Sequence, residues 1–206
     1  MIISRTPLRV SFVGGGTDME YFYNTTPGSA ISIAIDKYIY IIVKKRYDKK
    51  IILNYSKKEI VSSTKEIKHN LIKACLEMFD IKNSIEITSI ADIPSQGSGL
   101  GSSSSFTVGL LNALSAFQGK SLDQEKLARL ACKIEIDICL APIGKQDQYG
   151  VSIPGLKKMI FQSNGDVDIK MISDKNNLYK KLENQIILVN SNIVRSASEI
   201  LSKQKE

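Results

Sequence analysis

Histidine is nearly absent from this chain. His69 is the only one among 206 residues, which excludes a metal site built on several imidazoles and leaves a Ser-His-Asp relay no choice of base. It falls between Lys68 and Asn70, off the Ile67/Leu71/Cys75/Met78 stripe of a predicted helix, and is expected in solvent. Cysteine is scarce too. Cys75, Cys132 and Cys139 are odd in number, form no C-x-x-C pair and fall in helix-like stretches, the pattern of reduced core thiols. No apolar run is long enough to span a bilayer, and Met1-Ile2-Ile3-Ser4-Arg5 lacks the charged, apolar and small-residue order of a signal peptide. The expectation is a soluble cytoplasmic chain with no membrane partner.

Two nucleotide-loop signatures are incomplete. Gly144-Lys145 is followed by Gln146 and lacks the leading glycine of a Walker A loop. A dinucleotide fingerprint needs a glycine where Ser102 stands and an acid closing a second strand about 20 residues later; Asp123 and Glu125 lie at that distance, but at a helix start.

What is present centres on Pro94-Ser95-Gln96-Gly97-Ser98-Gly99-Leu100-Gly101-Ser102-Ser103-Ser104-Ser105, glycines at every second position followed by serines. Ile85, Ile87 and Ile90 predict a strand before it; Phe106, Leu110, Leu114 and Phe117 predict a helix after it. Glycines let backbone amides approach a ligand, and the serines fall on a first helical turn, where free N–H groups and the dipole favour phosphate. Tightly patterned segments on both sides argue against a flexible linker. The identity of the phosphate stays open on spacing alone. A net charge of +7, with lysines grouped at Lys44-Lys45-Arg46, Lys49-Lys50, Lys57-Lys58, Lys157-Lys158 and Lys180-Lys181, suits anionic partners or a plain solvated surface. Aromatic residues interleave with charge only at Tyr38, Tyr40 and Tyr47, thin support for a nucleic-acid stacking platform.

In chain order, Arg9-Val10-Ser11-Phe12-Val13 reads as a strand running into Gly14-Gly15-Gly16-Thr17-Asp18, where Asp18 either caps Met19 through Tyr23 or accepts hydrogen bonds from a substrate. Strands follow at 29–43 and 51–55, then a helix from about Thr64 to Phe79. Ser121 and Gln124 give a capping box for a helix with Leu127, Leu130, Ala131, Ile134 and Ile138 on one face and Glu135 just off it. Residues 144–150 read as a polar loop. Asn164-Gly165-Asp166 reads as a hairpin turn, Ile186-Ile187-Leu188-Val189 as a buried strand, and 195–203 as the start of a helix.

Residues 4–18, the glycine-serine run and Gly144-Lys145-Gln146-Asp147-Gln148-Tyr149 together resemble the GHMP kinases, the superfamily of galactokinase, homoserine kinase, mevalonate kinase and phosphomevalonate kinase. Within it they look like the D-glycero-α-D-manno-heptose 7-phosphate kinases. The resemblance runs from Met1 to about Lys203. It implies an α+β fold: an ATP-binding N-terminal domain over 1–183, similar to the second domain of ribosomal protein S5, and the start of a ferredoxin-like C-terminal domain over 184–206, without the family's third, glycine-rich motif. It further implies transfer of the ATP γ-phosphate to the anomeric C1 hydroxyl of a heptose 7-phosphate, for nucleotide-heptose and surface polysaccharide synthesis.

By the same resemblance, Gly97, Ser98, Gly99, Leu100, Gly101, Ser102, Ser103 and Ser104 hold the ATP phosphates. Ser103 and Glu135 ligate Mg²⁺, with Asp137 a rival to Glu135. Asp147 is the general base, Arg9 the cation beside it, and Gly15, Gly16, Thr17 and Asp18 the substrate loop. A fucose- or mevalonate-type kinase of the same superfamily is an alternative. So is an S5-like RNA-binding module, which a chain of this charge permits but which has no need of Glu135 and Asp147 beside a phosphate loop.

Overall fold

β-Branched residues crowd the first half of the chain, and there they build most of one sheet. The computed structural model describes residues 1–93 and 98–189. Its strands are β1 (Ile2–Val13), β2 (Gly28–Lys45), β3 (Ile51–Asn54), β4 (Lys58–Val61), β5 (Ile85–Ala91), β6 (Leu156–Phe161) and β7 (Val167–Met171). They form a sheet in the order β4-β3-β5-β2-β6-β7, with β1 paired to β2. The 18-residue β2 is the spine. Its first part pairs with β6 and its second with β5, while β1 runs antiparallel along it with register shifts at Pro7/Leu8 and Ser11/Val13.

The helices are α1 (Glu20–Tyr23), α2 (Asn70–Met78), α3 (Ser102–Phe117), α4 (Gln124–Cys132), α5 (Gln146–Ser152) and α6 (Leu178–Gln185); α4 continues into a π-helical stretch, Lys133–Ile138. One side of each of the central strands supplies Leu8, Ile39, Ile41, Val43, Leu53, Ile85 and Ile87, which meet Ile72, Leu76, Leu110, Leu111, Leu114 and Val151 from the helices in a single core. Burying a side chain of this size contributes about 1.5–3 kcal/mol, so this layer holds the helices on the sheet. A smaller cluster of Tyr23, Ala30, Ala128, Tyr149, Met159 and Phe161 fastens α1, α4 and α5 to β6. Gly109 lets α3 lie directly on β1. A Cβ there would stand 2.8 Å from the Thr6 hydroxyl, and Ser4 Oγ donates to the Gly109 carbonyl at 2.7 Å.

Several sequence expectations change. The helix expected from Thr64 is a short 3₁₀ turn, Thr64–Glu66, and a separate α2 whose N-cap is His69. The third helix is capped by Asp123, which accepts from Lys126 N at 2.7 Å, and not by Ser121. Residues 144–150 are not a plain loop, because Tyr149 and Val151 pull α5 into the two apolar clusters. Ile186 to Val189 is neither buried nor a strand; all four side chains are exposed. Gly97 and the helix expected from Arg195 lie outside the described residues. The strand read over 29–43 is present as the slightly longer β2, the strand around Ile85, Ile87 and Ile90 is β5, the Asn164-Gly165-Asp166 hairpin joins β6 and β7, and the long helix after the glycines is α3.

Candidate active site

Gly101 opens α3. It sits at the N-cap with φ +75° and ψ 28°, left-handed backbone that favours glycine, and no side chain caps the helix, so its first-turn amides stay available to an anion. The loop before it is anchored from outside. Leu100 O accepts from Arg9 N at 3.0 Å, Gly99 O accepts from Arg9 Nη1 at 2.8 Å, and Ser105 Oγ donates to the carbonyls of Thr6 and Pro7. Ser98 and Ser102 join hydroxyls at 2.8 Å. Gly99 is exposed, with open space where a Cβ would be, and Ser103 is exposed at the mouth of the helix.

Glu135 meets that helix end from behind. The π-helical stretch brings it inward, where it is 1% exposed. Its carboxylate accepts from Ser104 Oγ at 2.7 Å, Thr107 Oγ1 at 2.8 Å and Ser103 Oγ at 3.2 Å, and also from Gln148 Nε2. Burial raises its pKa above the ordinary value, and these four donors pull against that rise. Asp137, the alternative in the sequence, is exposed and faces a different hollow, of about 420 Å³, beside Lys133 and Lys145.

Arg9 links the loop to the other carboxylate. While Nη1 holds Gly99 O, Nε and Nη2 both donate to Asp147 Oδ1, at 2.9 and 2.6 Å. Arg9 is buried and Asp147 keeps 29% of its side chain exposed, so the carboxylate retains an open side. Asp147 stands in the first turn of α5, between two residues with partners elsewhere. Gln146 N donates to Asp18 Oδ2 at 3.0 Å and Gln146 Oε1 accepts from Ser11 Oγ; Gln148 reaches Glu135.

The loop 14–18 borders the same helix end. Gly15 is exposed and Gly16 has open space around it, whereas the Thr17 hydroxyl is tied to the Gly14 and Ser29 carbonyls. Asp18 does not cap α1, whose N-cap is Met19 without a side-chain bond. It is 3% exposed and accepts from Gly16 N and Gln146 N.

A hollow of about 1270 Å³ opens beside Ser102 and Ser103, lined among others by Tyr55, Lys57, Lys68, His69, Asn70 and Phe106. His69 is therefore not a solvated histidine. As the N-cap of α2 it turns inward, its ring lying 5.3 Å from Phe106 and edge-on to Tyr55 at 4.7 Å, with Nδ1 buried and unpartnered. Burial lowers its pKa, against the nearby Glu59 charge. Reading 64–79 as one helix hid this. Thr107, Gln148 and Tyr55 were also missed, although Thr107 lies one helical turn after Ser103 and Gln148 adjoins Asp147, spacings that carry a signal once those neighbours are chosen.

Residues 69–155 match the family model described as the GHMP kinases N terminal domain, which covers α2 through α5 and both carboxylates. The D-glycero-alpha-D-manno-heptose 7-phosphate kinase of Campylobacter jejuni is 31% identical over 216 residues, an alignment covering 99% of this chain and 63% of that protein. The crystal structure of a D-glycero-D-manno-heptose 1-phosphate kinase from Bacteroides thetaiotaomicron superposes with a TM-score of 0.81 at 27% identity, over 89% of this chain and 63% of that one. The mevalonate kinase of Methanococcus jannaschii gives a TM-score of 0.64 at 26% identity, over 83% and 55%. This chain thus spans less than two thirds of the length of each of these relatives. No helix among the described residues is long and apolar enough to cross a membrane. Sequence match and fold agree that the chain carries a GHMP kinase N-terminal domain, matched over residues 69–155.

Proposed function

We propose that this chain is the ATP-binding part of a sugar kinase that moves the γ-phosphoryl group of ATP to the anomeric hydroxyl of D-glycero-α-D-manno-heptose 7-phosphate. The observation that carries the proposal is the continuous contact from Gly99 through Arg9 to Asp147, which sets a cation and a partly open carboxylate directly against a phosphate loop. Phosphoryl transfer asks mainly for position and for neutralised charge. In this reading the amides of Gly99 to Ser104 hold the triphosphate, and the hollow beside Ser102 takes the nucleoside. Asp147 accepts the proton of the attacking hydroxyl, which at an anomeric carbon is more acidic than in an ordinary alcohol. Arg9 keeps Asp147 oriented, and its charge balances the developing negative charge. Gly15, Gly16 and Thr17, with Asp18 behind them, form the sugar's side of the cleft.

Ser103 and Glu135 would supply Mg²⁺ with a hydroxyl and a carboxylate, both hard oxygen donors; the carboxylate is buried and already accepts from four donors, so the ion would take the place of the 3.2 Å Ser103 bond and fill its other positions with water and phosphate oxygens. When bound it would neutralise charge on the phosphates. The heptose assignment is supported by the Campylobacter jejuni relative, and the product would be the 1,7-bisphosphate, with the synthesis of nucleotide-activated heptose in the cytoplasm as its use. The test is ADP release from ATP and Mg²⁺ with heptose 7-phosphate, mannose, fucose and mevalonate in parallel. Turnover with heptose 7-phosphate alone supports the proposal; a preference for fucose or mevalonate reassigns the substrate within the family.

A further inference from the structure

We infer that Gln148 is a positioning residue for the proposed metal site: its amide holds the Glu135 carboxylate turned so that one oxygen is left facing Ser103. The inference rests on the kinase reading above and deepens it. Glu135 uses its two oxygens differently. Oε2 accepts from Ser104 Oγ at 2.7 Å and from Gln148 Nε2, while Oε1 accepts from Thr107 Oγ1 at 2.8 Å and from Ser103 Oγ at 3.2 Å. Oε2 thus has both of its lone-pair directions filled within the fold. Oε1 keeps one contact beyond the usual hydroxyl range, and that contact leads to the exposed Ser103 at the mouth of α3. It is the oxygen that a cation can reach.

Three of the four donors, Ser103, Ser104 and Thr107, lie on α3 and move with it. Gln148 alone reaches Glu135 from α5, and it is fully buried. A carboxylate can only accept, so the amide lies with Nε2 toward Glu135, and its own Oε1 is left buried with no partner among the described residues. A buried, unpaired carbonyl oxygen is unfavourable. A methionine would fill the same place without that defect, but it has no proton to donate. The bond to Glu135 is the side chain's one polar contact among the described residues, and partners of this kind orient a metal-ligating carboxylate. The preceding residue, Asp147, takes Nε and Nη2 of Arg9. Two adjacent side chains of α5 therefore set the spacing between the proposed base and the proposed metal ligand.

The test reads binding and not turnover. ATP is titrated calorimetrically into the full-length protein, once with EDTA and once with saturating Mg²⁺, and the ratio of the two affinities measures how much the protein gains from the metal. Wild type is compared with Gln148→Met, Gln148→Asn and, as a packing control on the same helix, Val151→Ala. Wild type should bind ATP more tightly with Mg²⁺. Gln148→Met, of similar volume, should lower the ratio by about tenfold, as expected when a hydrogen-bond partner of a metal ligand is removed, while metal-free ATP affinity stays within about threefold. Gln148→Asn, whose amide stops one methylene short, should lose the ratio likewise, and Val151→Ala should keep it.

A folded Gln148→Met protein with the wild-type ratio refutes the positioning role. Equal weakening of ATP with and without Mg²⁺, or the same loss in Val151→Ala, also refutes it, because either would show that Gln148 only packs α5. Where Gln148→Met does not fold, Gln148→Asn decides by the same comparison. A wild type that binds ATP no better with Mg²⁺ than without, or binds none, would instead sink the kinase reading, and the inference with it.

Discussion

Replacing Lys157 by methionine should stabilise this protein. Lys157 is fully buried on the inner side of β6, beside Met159 and Phe161, and its ammonium makes one hydrogen bond, to the Gly155 carbonyl at 3.0 Å. No carboxylate pairs with it among the described residues, and the hydroxyl of its cross-strand neighbour Ser32 is buried without a partner. Burial alone pushes the lysine pKa down from 10.5 to about 8, and that gap corresponds to about 3 kcal/mol. Between those two values the unfolded chain binds more protons than the folded one, so stability rises with pH through this window. Below pH 8 the whole penalty is present.

Methionine has a similar length and no charge. It removes the penalty but leaves the Gly155 carbonyl unpaired, at a cost of about 1 kcal/mol. The net gain at pH 7 is then about 2 kcal/mol, or a rise in Tm of roughly 4–8 °C for a chain of this size. Urea melts followed by circular dichroism at pH 7, 8, 9 and 10 on both proteins measure it. Tyrosines and thiols titrate alike in the two, so their difference isolates Lys157, and it should shrink steadily above pH 8. A variant less stable than wild type at pH 7, or a difference that does not change with pH, would show that the lysine is not held at a penalty.

Other outcomes follow from the candidate site. Asp147→Asn should lower turnover by roughly 10²–10⁴-fold, the range of general-base catalysis, while ATP affinity stays within a few fold; near-normal turnover would remove Asp147 from its role. Ser103→Ala should raise the Mg²⁺ concentration for half-maximal activity by at least about tenfold, and an unchanged metal titration would move the ligand elsewhere. Cys75 and Cys132 are buried with thiol pKa values pushed up mainly by desolvation, whereas Cys139 is half-exposed. Ellman's reagent at pH 8 should therefore modify Cys139 well before the other two; equal rates in the folded protein would mean that the helices around them open freely.

Most of the sheet and the central helix were legible because their signals are local: alternating isoleucines for β2 and β5, helical spacing for α3, an Asn-Gly turn for β6 and β7. The turn at the glycines and the start of α3 were legible for the same reason, since glycine and serine state their geometry within a few positions. What failed was non-local. Residues 144–150 carry the polarity of a loop, and only packing of Tyr149 and Val151 against α4 and the core makes them a helix. His69 was misplaced because Ile67 and Leu71 sit at helical spacing across a break that hydrogen bonds to Ser63 and Thr64 create. Ile186 to Val189 has the composition of a buried strand, yet in the described residues no strand pairs with it.

The site's own organisation explains why a motif reader finds its members but not their relation. Three consecutive residues of α5 answer to three separate parts of the chain: Gln146 to Asp18 and Ser11, Asp147 to Arg9, and Gln148 to Glu135. Through Arg9 the second of these reaches Gly99, and through Glu135 the third reaches Ser103 and Ser104. A helix of this length has almost no stability of its own, so its position is decided by those contacts. A shift of Gly99 therefore acts on Asp147 through Arg9, a shift of the first turn of α3 acts through Glu135 and Gln148, and a shift of the turn at 14–18 acts through Asp18. Coupling of this kind is a property of side chains far apart in sequence, and it leaves no periodicity in the chain for spacing to find.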